Sequence, residues 1–175
     1  WVASVAVVCL TAVNVRGIRW GTYVQNTFTV LKIAALCSIV VIGLIAHRGT
    51  GELWTPPAVW LDLSLWQALG VALVFVLWTY GGWTEAAYVA EEVRHPTRTV
   101  PLAIVGGVLI TTALYVLVNA IYLWYIPTDE LPHTPLVAST MMAKAIGPIG
   151  ATFITWMVAA SAFGALNGYI LTGGR

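Results

Sequence analysis

The chain has 175 residues, of which 59% are hydrophobic and only 9% are charged, and its formal net charge at pH 7 is +1. A soluble globular domain carries about 25% charged residues, so this composition and a mean hydropathy of +0.87 exclude a soluble fold. Lys and Arg form no basic tract, so nucleic-acid binding has no support. We expect an integral membrane protein whose main solvent is the lipid bilayer.

Five apolar segments are candidates for helices that cross the bilayer. They are residues 1–15, 24–46, 64–90, 101–126 and 148–172. The first is short for a span unless it continues upstream. The second is the clearest, because its helix would run roughly 34 Å across a hydrocarbon core of about 30 Å. Residues 135–146 are expected to form a short helix along the membrane surface. We predict one transmembrane domain over residues 1–175, truncated at both ends.

Local signals mark where two of these helices begin. Ser64 and Gln67 have the spacing of a capping box at the start of the third segment. Pro101 is expected in the first turn of the fourth segment, where its missing N–H is tolerated.

The charges of the loops predict which way the chain crosses the membrane. Loops on one face carry five arginines, whereas the other face carries two basic residues offset by four acidic ones. The arginine-rich face is therefore expected in the cytoplasm, and its residues are Arg16, Arg19, Arg94, Arg98 and Arg175. The opposite face should carry an interfacial aromatic belt, formed by Trp54, Trp60, Trp66, Trp124 and Tyr125.

The third segment contains a predicted interruption at Gly81 and Gly82. Each glycine destabilises a helix by roughly 1 kcal/mol relative to alanine. Broken backbone at membrane depth is tolerated only where protein or a water-filled cavity surrounds it. Its unpaired N–H and C=O groups can bind a zwitterion or an ion, as in transporters with discontinuous helices. The alternative is that the two glycines only allow close helix packing.

Two ionisable residues lie inside predicted spans. Lys32 is expected either to face the bundle interior with partners or to snorkel to the cytoplasmic interface. Glu85 is the only carboxylate well inside a span. It would carry a coupled proton if desolvation raised its pKa, and otherwise it lines a hydrated vestibule or pairs with an arginine.

The last segment presents a stripe of small residues. Ser161, Gly164 and Gly168 are spaced i, i+3 and i+7 on one helix face. The two glycines are interpreted as a seam for close helix packing. Asn167 is a polar residue within this span, and the sequence pattern assigns no role to it.

Several motifs in one order resemble a known family. Residues 77–83 (Leu-Trp-Thr-Tyr-Gly-Gly-Trp) and 90–104 resemble the sixth helix and following loop of amino acid permeases. Residues 24–33 and 161–172 resemble the fifth and eighth helices. The family is the amino acid–polyamine–organocation superfamily, and the similar branch is that of the L-amino-acid transporter-like permeases. The resemblance implies an all-α integral membrane fold, covering helices four to eight of about twelve in an inverted-repeat (5+5) layout with one helix unwound at mid-membrane.

The resemblance also implies roles for particular residues. Backbone groups of Thr79, Tyr80, Gly81 and Gly82 would bind the charged ends of an amino acid substrate. Trp78 would be the aromatic gate over that substrate, and Thr84 a polar contact to it. Lys32 would replace a sodium ion, with the Ser161 hydroxyl near it.

We therefore predict a secondary transporter that moves neutral L-amino acids by alternating access, through sodium-independent exchange or facilitated transport. It would reside in a bacterial inner (plasma) membrane, with no cofactor and with any accessory subunit left open. A polyamine or cationic amino acid carrier is the alternative within the same class. A permease-fold sensor or a channel-like protein is an alternative from another class. A membrane enzyme is not favoured, because His47, His95 and His133 lie in separate loops.

Overall fold

A computed structural model describes residues 1–49, 63–82, 90, 93 and 95–173 of the chain. The regular structure of these residues consists of six α-helices and one 3₁₀ turn. In chain order they are α1 (Val2–Val15), α2 (Ile18–Ala46), α3 (Leu63–Thr79), α4 (Pro96–Tyr125), the 3₁₀ turn (Leu131–His133), α5 (Val137–Ile146) and α6 (Pro148–Gly173). The regular structure of the described residues is therefore all-α, as predicted.

Three of these helices are long and apolar enough to cross a membrane. They cover Arg19–Ala46 within α2, Pro96–Tyr125 and Pro148–Gly173, with 28, 30 and 26 residues. Two of the five predicted spans correspond to shorter helices in the described residues, since α1 has 14 residues and α3 has 17. Within the third predicted span, α3 ends at Thr79, separated by one residue from Gly81 and Gly82.

Several helix starts differ from the sequence expectations, and α2 begins at Ile18, six residues before the predicted position 24. The helix α4 begins at Pro96 instead of near Pro101, so Pro101 lies inside the helix. Pro96 is suited to the first helical position because it has no N–H to leave unpaired, and the N–H groups of Arg98 and Thr99 donate to the His95 carbonyl at 3.1 and 3.0 Å. The described part of α3 starts at Leu63 and contains Ser64 and Gln67, so the predicted capping box stays a prediction.

The chain divides into two compact units. The first contains Trp1–Trp54 and Leu114–Arg175, and the second contains Thr55–Ala113. The helix α4 therefore contributes its residues up to Ala113 to the second unit and the rest to the first.

The core of the first unit is built from α2, the end of α4, α5 and α6. Its buried side chains are Ile39, Val118, Ile121, Tyr125, Ile126, Met141, Met142, Ala145 and Ile154. The short helix α5, expected along the membrane surface, thus buries one face in this core. The same helix also carries the exposed Lys144, whose ammonium forms an ion pair with Glu130 at 2.8 Å.

Tyr125 is part of this core and not of an interfacial belt. Only 1% of it is exposed, so the interpretation of Tyr125 as a belt residue is wrong. Its hydroxyl donates to the Gly43 carbonyl at 2.8 Å and accepts from the Arg48 N–H at 3.4 Å. Tyr125 can be buried because these two hydrogen bonds, with backbone groups at the end of α2, satisfy its hydroxyl.

The glycine seam of α6 packs on α2, as the small-residue stripe predicted. A Cβ atom at Gly164 would lie 2.6 Å from Phe28 Cβ, whereas one at Gly168 would make an ordinary contact of 3.4 Å with Gln25 Nε2. Gly164 is buried, and at this position α6 lies too close to α2 to leave room for a Cβ atom.

Gly164→Ala is expected to destabilise the protein by about 1–3 kcal/mol, because the Phe28 Cβ cannot move without moving the backbone of α2. Gly168→Ala is the matched control, since both changes bring the same gain in helix propensity. The free energy of unfolding of the detergent-solubilised protein measures the difference. Equal stability of the two variants would contradict the packing described here.

Candidate functional site

The end of α3 is the first part of the candidate site. The Tyr80 N–H still donates to the Val76 carbonyl at 3.1 Å, but the Gly81 N–H donates to the Trp78 carbonyl, three residues back, at 3.1 Å. Residues 80–82 then form turns. The helical ladder therefore ends at the predicted glycines, and within the described part of the chain the backbone groups of Gly82 have no hydrogen-bond partner.

A half-open cavity of about 300 Å³, which we call the interruption cavity, adjoins this end of α3 inside the second unit. Its wall is formed by Thr79, Tyr80, Gly82, Ala103, Ile104, Gly107, Val108 and Thr111. Three of the residues predicted to bind substrate, Thr79, Tyr80 and Gly82, thus share one wall. Gly81 and Trp78 are not part of that wall, and Trp78 is 86% exposed.

Hydrogen bonds hold the polar side chains around this cavity. The Tyr80 and Thr112 hydroxyls are 2.9 Å apart and join the end of α3 to α4. The Thr79 hydroxyl donates to the Phe75 carbonyl at 2.8 Å, within its own helix. The Thr111 hydroxyl differs from these, because it has no hydrogen-bond partner among the described residues.

A second cavity, which we call the lysine cavity, lies inside the first unit and has a volume of about 110 Å³. Lys32 of α2 and Ser161 of α6 both line it, so the structure brings together the two residues that the resemblance associates with an ion site. The remaining wall is formed by Ala35, Leu36, Ile39, Tyr122, Ala138, Ile154, Met157 and Val158. No carboxylate occurs in this wall, and among the described residues Lys32 forms no ion pair.

Two predicted site residues, Thr84 and Glu85, lie outside the described residues. The part of the chain that is described contains no group of three or more His, Cys, Asp or Glu side chains able to hold a metal ion. Cys9 and Cys37 are both exposed free thiols.

A cluster of amide side chains around the buried Asn167, which we call the amide cluster, was not predicted from the sequence. It consists of Asn14, Gln25 and Asn167, from α1, α2 and α6. The Asn14 Nδ2 donates to Asn167 Oδ1 at 2.9 Å, and Asn167 Nδ2 donates to Gln25 Oε1 at 2.9 Å and to the Gly21 carbonyl at 3.3 Å. Asn167 is fully buried. The only sequence signal was a polar residue inside an apolar span, which indicates a partner but not its identity.

The comparison with protein families agrees with these features. The family model described as amino acid permease matches residues 1–175. The chain belongs to the amino acid permease family. The permease is 34% identical over 174 residues to the b(0,+)-type amino acid transporter 1 of Oryctolagus cuniculus and also to that of Homo sapiens. It is 33% identical over 176 residues to the large neutral amino acids transporter small subunit 2 of Homo sapiens.

These relatives are much longer than the permease chain described here. Each match covers 99% of this chain, but only 35% of the b(0,+)-type relatives and 33% of the large neutral amino acids relative. The chain therefore spans about a third of the length of the curated relatives it matches.

Family membership confirms several predictions. The resemblance to amino acid permeases is confirmed, and so are the all-α membrane fold and the prediction that the permease is not an enzyme. Membership in this family, together with the three candidate spans, identifies an integral membrane protein. The roles of the individual site residues stay predictions.

Proposed function

We propose that the full-length permease is a secondary transporter that moves neutral L-amino acids across the membrane by alternating access. The observation that carries this proposal is the interrupted helix α3, whose last residues line a cavity next to Gly82. The backbone groups of Gly82 have no hydrogen-bond partner among the described residues. Such groups can bind the ammonium and carboxylate of an amino acid. The printed names of the relatives, both amino acid transporters, support the same substrate class.

A neutral substrate is favoured over a polyamine or a cationic amino acid. A cationic side chain would need an acidic partner, and no Asp or Glu occurs among the described residues of the interruption cavity. We keep Glu85 as the candidate for proton coupling. Trp78 is proposed to act as a gate and Thr84 as a substrate contact.

The lysine cavity supports transport without sodium. Lys32 is exposed, but it lines this otherwise apolar cavity together with the hydroxyl-bearing Ser161 and Tyr122 and with no carboxylate. A lysine in such a place can substitute for a bound cation. We propose this role for Lys32, with Ser161 as its neighbouring hydroxyl.

The orientation of the permease in the membrane is inferred from the positions of its arginines. We propose that the membrane face bearing Arg16, Arg19, Arg94 and Arg98 is the cytoplasmic face of a plasma membrane, with Arg19 and Arg98 in the first turns of α2 and α4 and not in loops. The relatives named above come from mammals, so they do not support the expected bacterial membrane. The words "small subunit" in one relative's name support a test for a second subunit by copurification.

The test is uptake of labelled amino acids by the full-length protein in liposomes, with and without sodium and internal amino acid. We expect saturable uptake of neutral amino acids that depends on internal amino acid and not on sodium. Folded protein that binds but does not transport any amino acid would contradict transport and favour a sensor. Uptake of only cationic substrates would favour the alternative carrier, and a strict sodium requirement would contradict the role of Lys32.

A further inference from the structure

A hydrogen bond joins two helices beside the interruption, and the sequence motifs assign no role to it. The hydroxyl oxygens of Tyr80, the first residue after α3, and of Thr112 in α4 are 2.9 Å apart. The Thr112 hydroxyl donates its only hydrogen to the Val108 carbonyl at 2.8 Å. In the contact with Tyr80 it is therefore the acceptor, and the phenol of Tyr80 is the donor.

We infer that this bond, which we call the hydroxyl bridge, holds the interrupted backbone in the arrangement that binds the substrate, with Thr112 as a positioning residue. This inference rests on the proposed function. The Tyr80 N–H still donates to a carbonyl four residues back, whereas the Gly81 N–H donates to the Trp78 carbonyl, three residues back. Tyr80 thus stands where the helical ladder ends, and its side chain ties that point to α4.

The two residues that follow Tyr80 give such a tie its value. Gly81 and Gly82 have more accessible backbone conformations than other residues, so ordering them around a substrate costs more entropy. A side-chain anchor immediately before them limits these conformations before the substrate arrives. Thr112 also lies near the midpoint of α4, a helix of 30 residues. At that depth in a membrane few water molecules compete for the hydrogen bond.

Thr112 acts on the site through Tyr80 and not by touching the substrate. Tyr80 and Gly82 line the interruption cavity, whereas Thr112 is not part of its wall. Thr112→Val removes the acceptor and keeps nearly the same shape, while Thr112→Ser keeps the acceptor. Tyr80→Phe removes the donor and leaves the backbone groups of residue 80 in place. The bond can therefore be broken from either end without deleting a group proposed to bind the substrate.

The experiment has two readouts on the full-length protein in detergent. The first is the Kd of labelled leucine, and the second is amide hydrogen exchange at residues 80–82 without substrate. Thr112→Val is expected to raise the Kd by about three- to tenfold, because it removes the net contribution of one hydrogen bond. It should also speed amide exchange at these residues. Thr112→Ser should keep the wild-type Kd and exchange rates.

A matched control and a double variant test whether the two hydroxyls act together. Thr155→Val is the control, because the Thr155 hydroxyl also donates to a carbonyl four residues back, that of Ala151 at 2.8 Å, and lines neither cavity. It should leave both readouts unchanged. Tyr80→Phe should raise the Kd as much as Thr112→Val does. The double variant should bind no more weakly than either single variant, since both remove the same bond.

The outcomes separate the inference from the function on which it rests. If the wild-type protein binds and transports leucine and Thr112→Val keeps the wild-type Kd, the inference is wrong while the proposed function stands. Unchanged amide exchange, or additive losses in the double variant, also overturns it. Should Thr112→Val fail to fold, Tyr80→Phe decides by the same criteria. If the folded wild-type protein neither binds nor transports any amino acid, both the proposed function and the inference fail.

Discussion

Replacing Lys32 with alanine in the full-length permease is expected to lower amino acid uptake by about tenfold to a hundredfold. The proposed role of Lys32 is to hold the place of a cation between α2 and α6, next to the Ser161 hydroxyl. A charge-assisted hydrogen bond contributes about 1.5–3 kcal/mol, and 1.4 kcal/mol corresponds to about a factor of ten. Initial rates of uptake in liposomes measure the loss.

The same variant should respond to sodium. If the ammonium replaces a cation, then removing it leaves a site that a sodium ion can enter, so sodium should partly restore uptake by Lys32→Ala. Lys144→Ala is the matched control, because Lys144 is an exposed cation that pairs with Glu130 outside the lysine cavity. Wild-type uptake by Lys32→Ala, unchanged by sodium, would show that Lys32 only snorkels to the interface.

Replacing Asn167 with alanine is expected to reduce the free energy of unfolding by about 2–4 kcal/mol. The change removes three hydrogen bonds, to Asn14, Gln25 and the Gly21 carbonyl. Hydrogen bonds between helices in membrane proteins contribute about 0.6–1.7 kcal/mol each, and a buried group left without a partner adds a further cost. Denaturant-induced unfolding in detergent measures the change.

Asn119→Ala is the control for the loss of an amide. Asn119 is exposed, and its Nδ2 donates only to the Tyr115 carbonyl within α4. We expect this variant to change the free energy of unfolding by less than about 0.5 kcal/mol. Equal effects of the two substitutions would mean that the amide cluster does not hold α1, α2 and α6 together.

The amide cluster also explains a constraint on α2. The Asn14 Oδ1 atom is buried without a hydrogen-bond partner among the described residues. A Cβ atom at Gly21 of α2 would overlap with this oxygen. The close approach of α1 and α2 therefore requires glycine at position 21, which the sequence pattern did not indicate.

The sequence by itself determined the class of the protein and the position of its interruption. Its low charge and long apolar segments predict membrane helices because hydrocarbon excludes charges and unpaired backbone, and both are properties of local composition. Gly81 and Gly82 mark the end of α3 for an equally local reason, since glycine weakens a helix wherever it stands. The association of Lys32 with Ser161 was expected from the resemblance, not from their spacing.

Only the tertiary structure decided which residues meet across helices. Asn14 and Asn167 are 153 positions apart along the chain, so no local period relates them. The burial of Tyr125 depends on a carbonyl of α2 that lies 82 positions away. The face of α4 in the interruption cavity likewise depends on the end of α3. Hydropathy predicts that a helix enters the membrane, but lipid and protein neighbours are equally apolar, so it does not predict which face meets another helix.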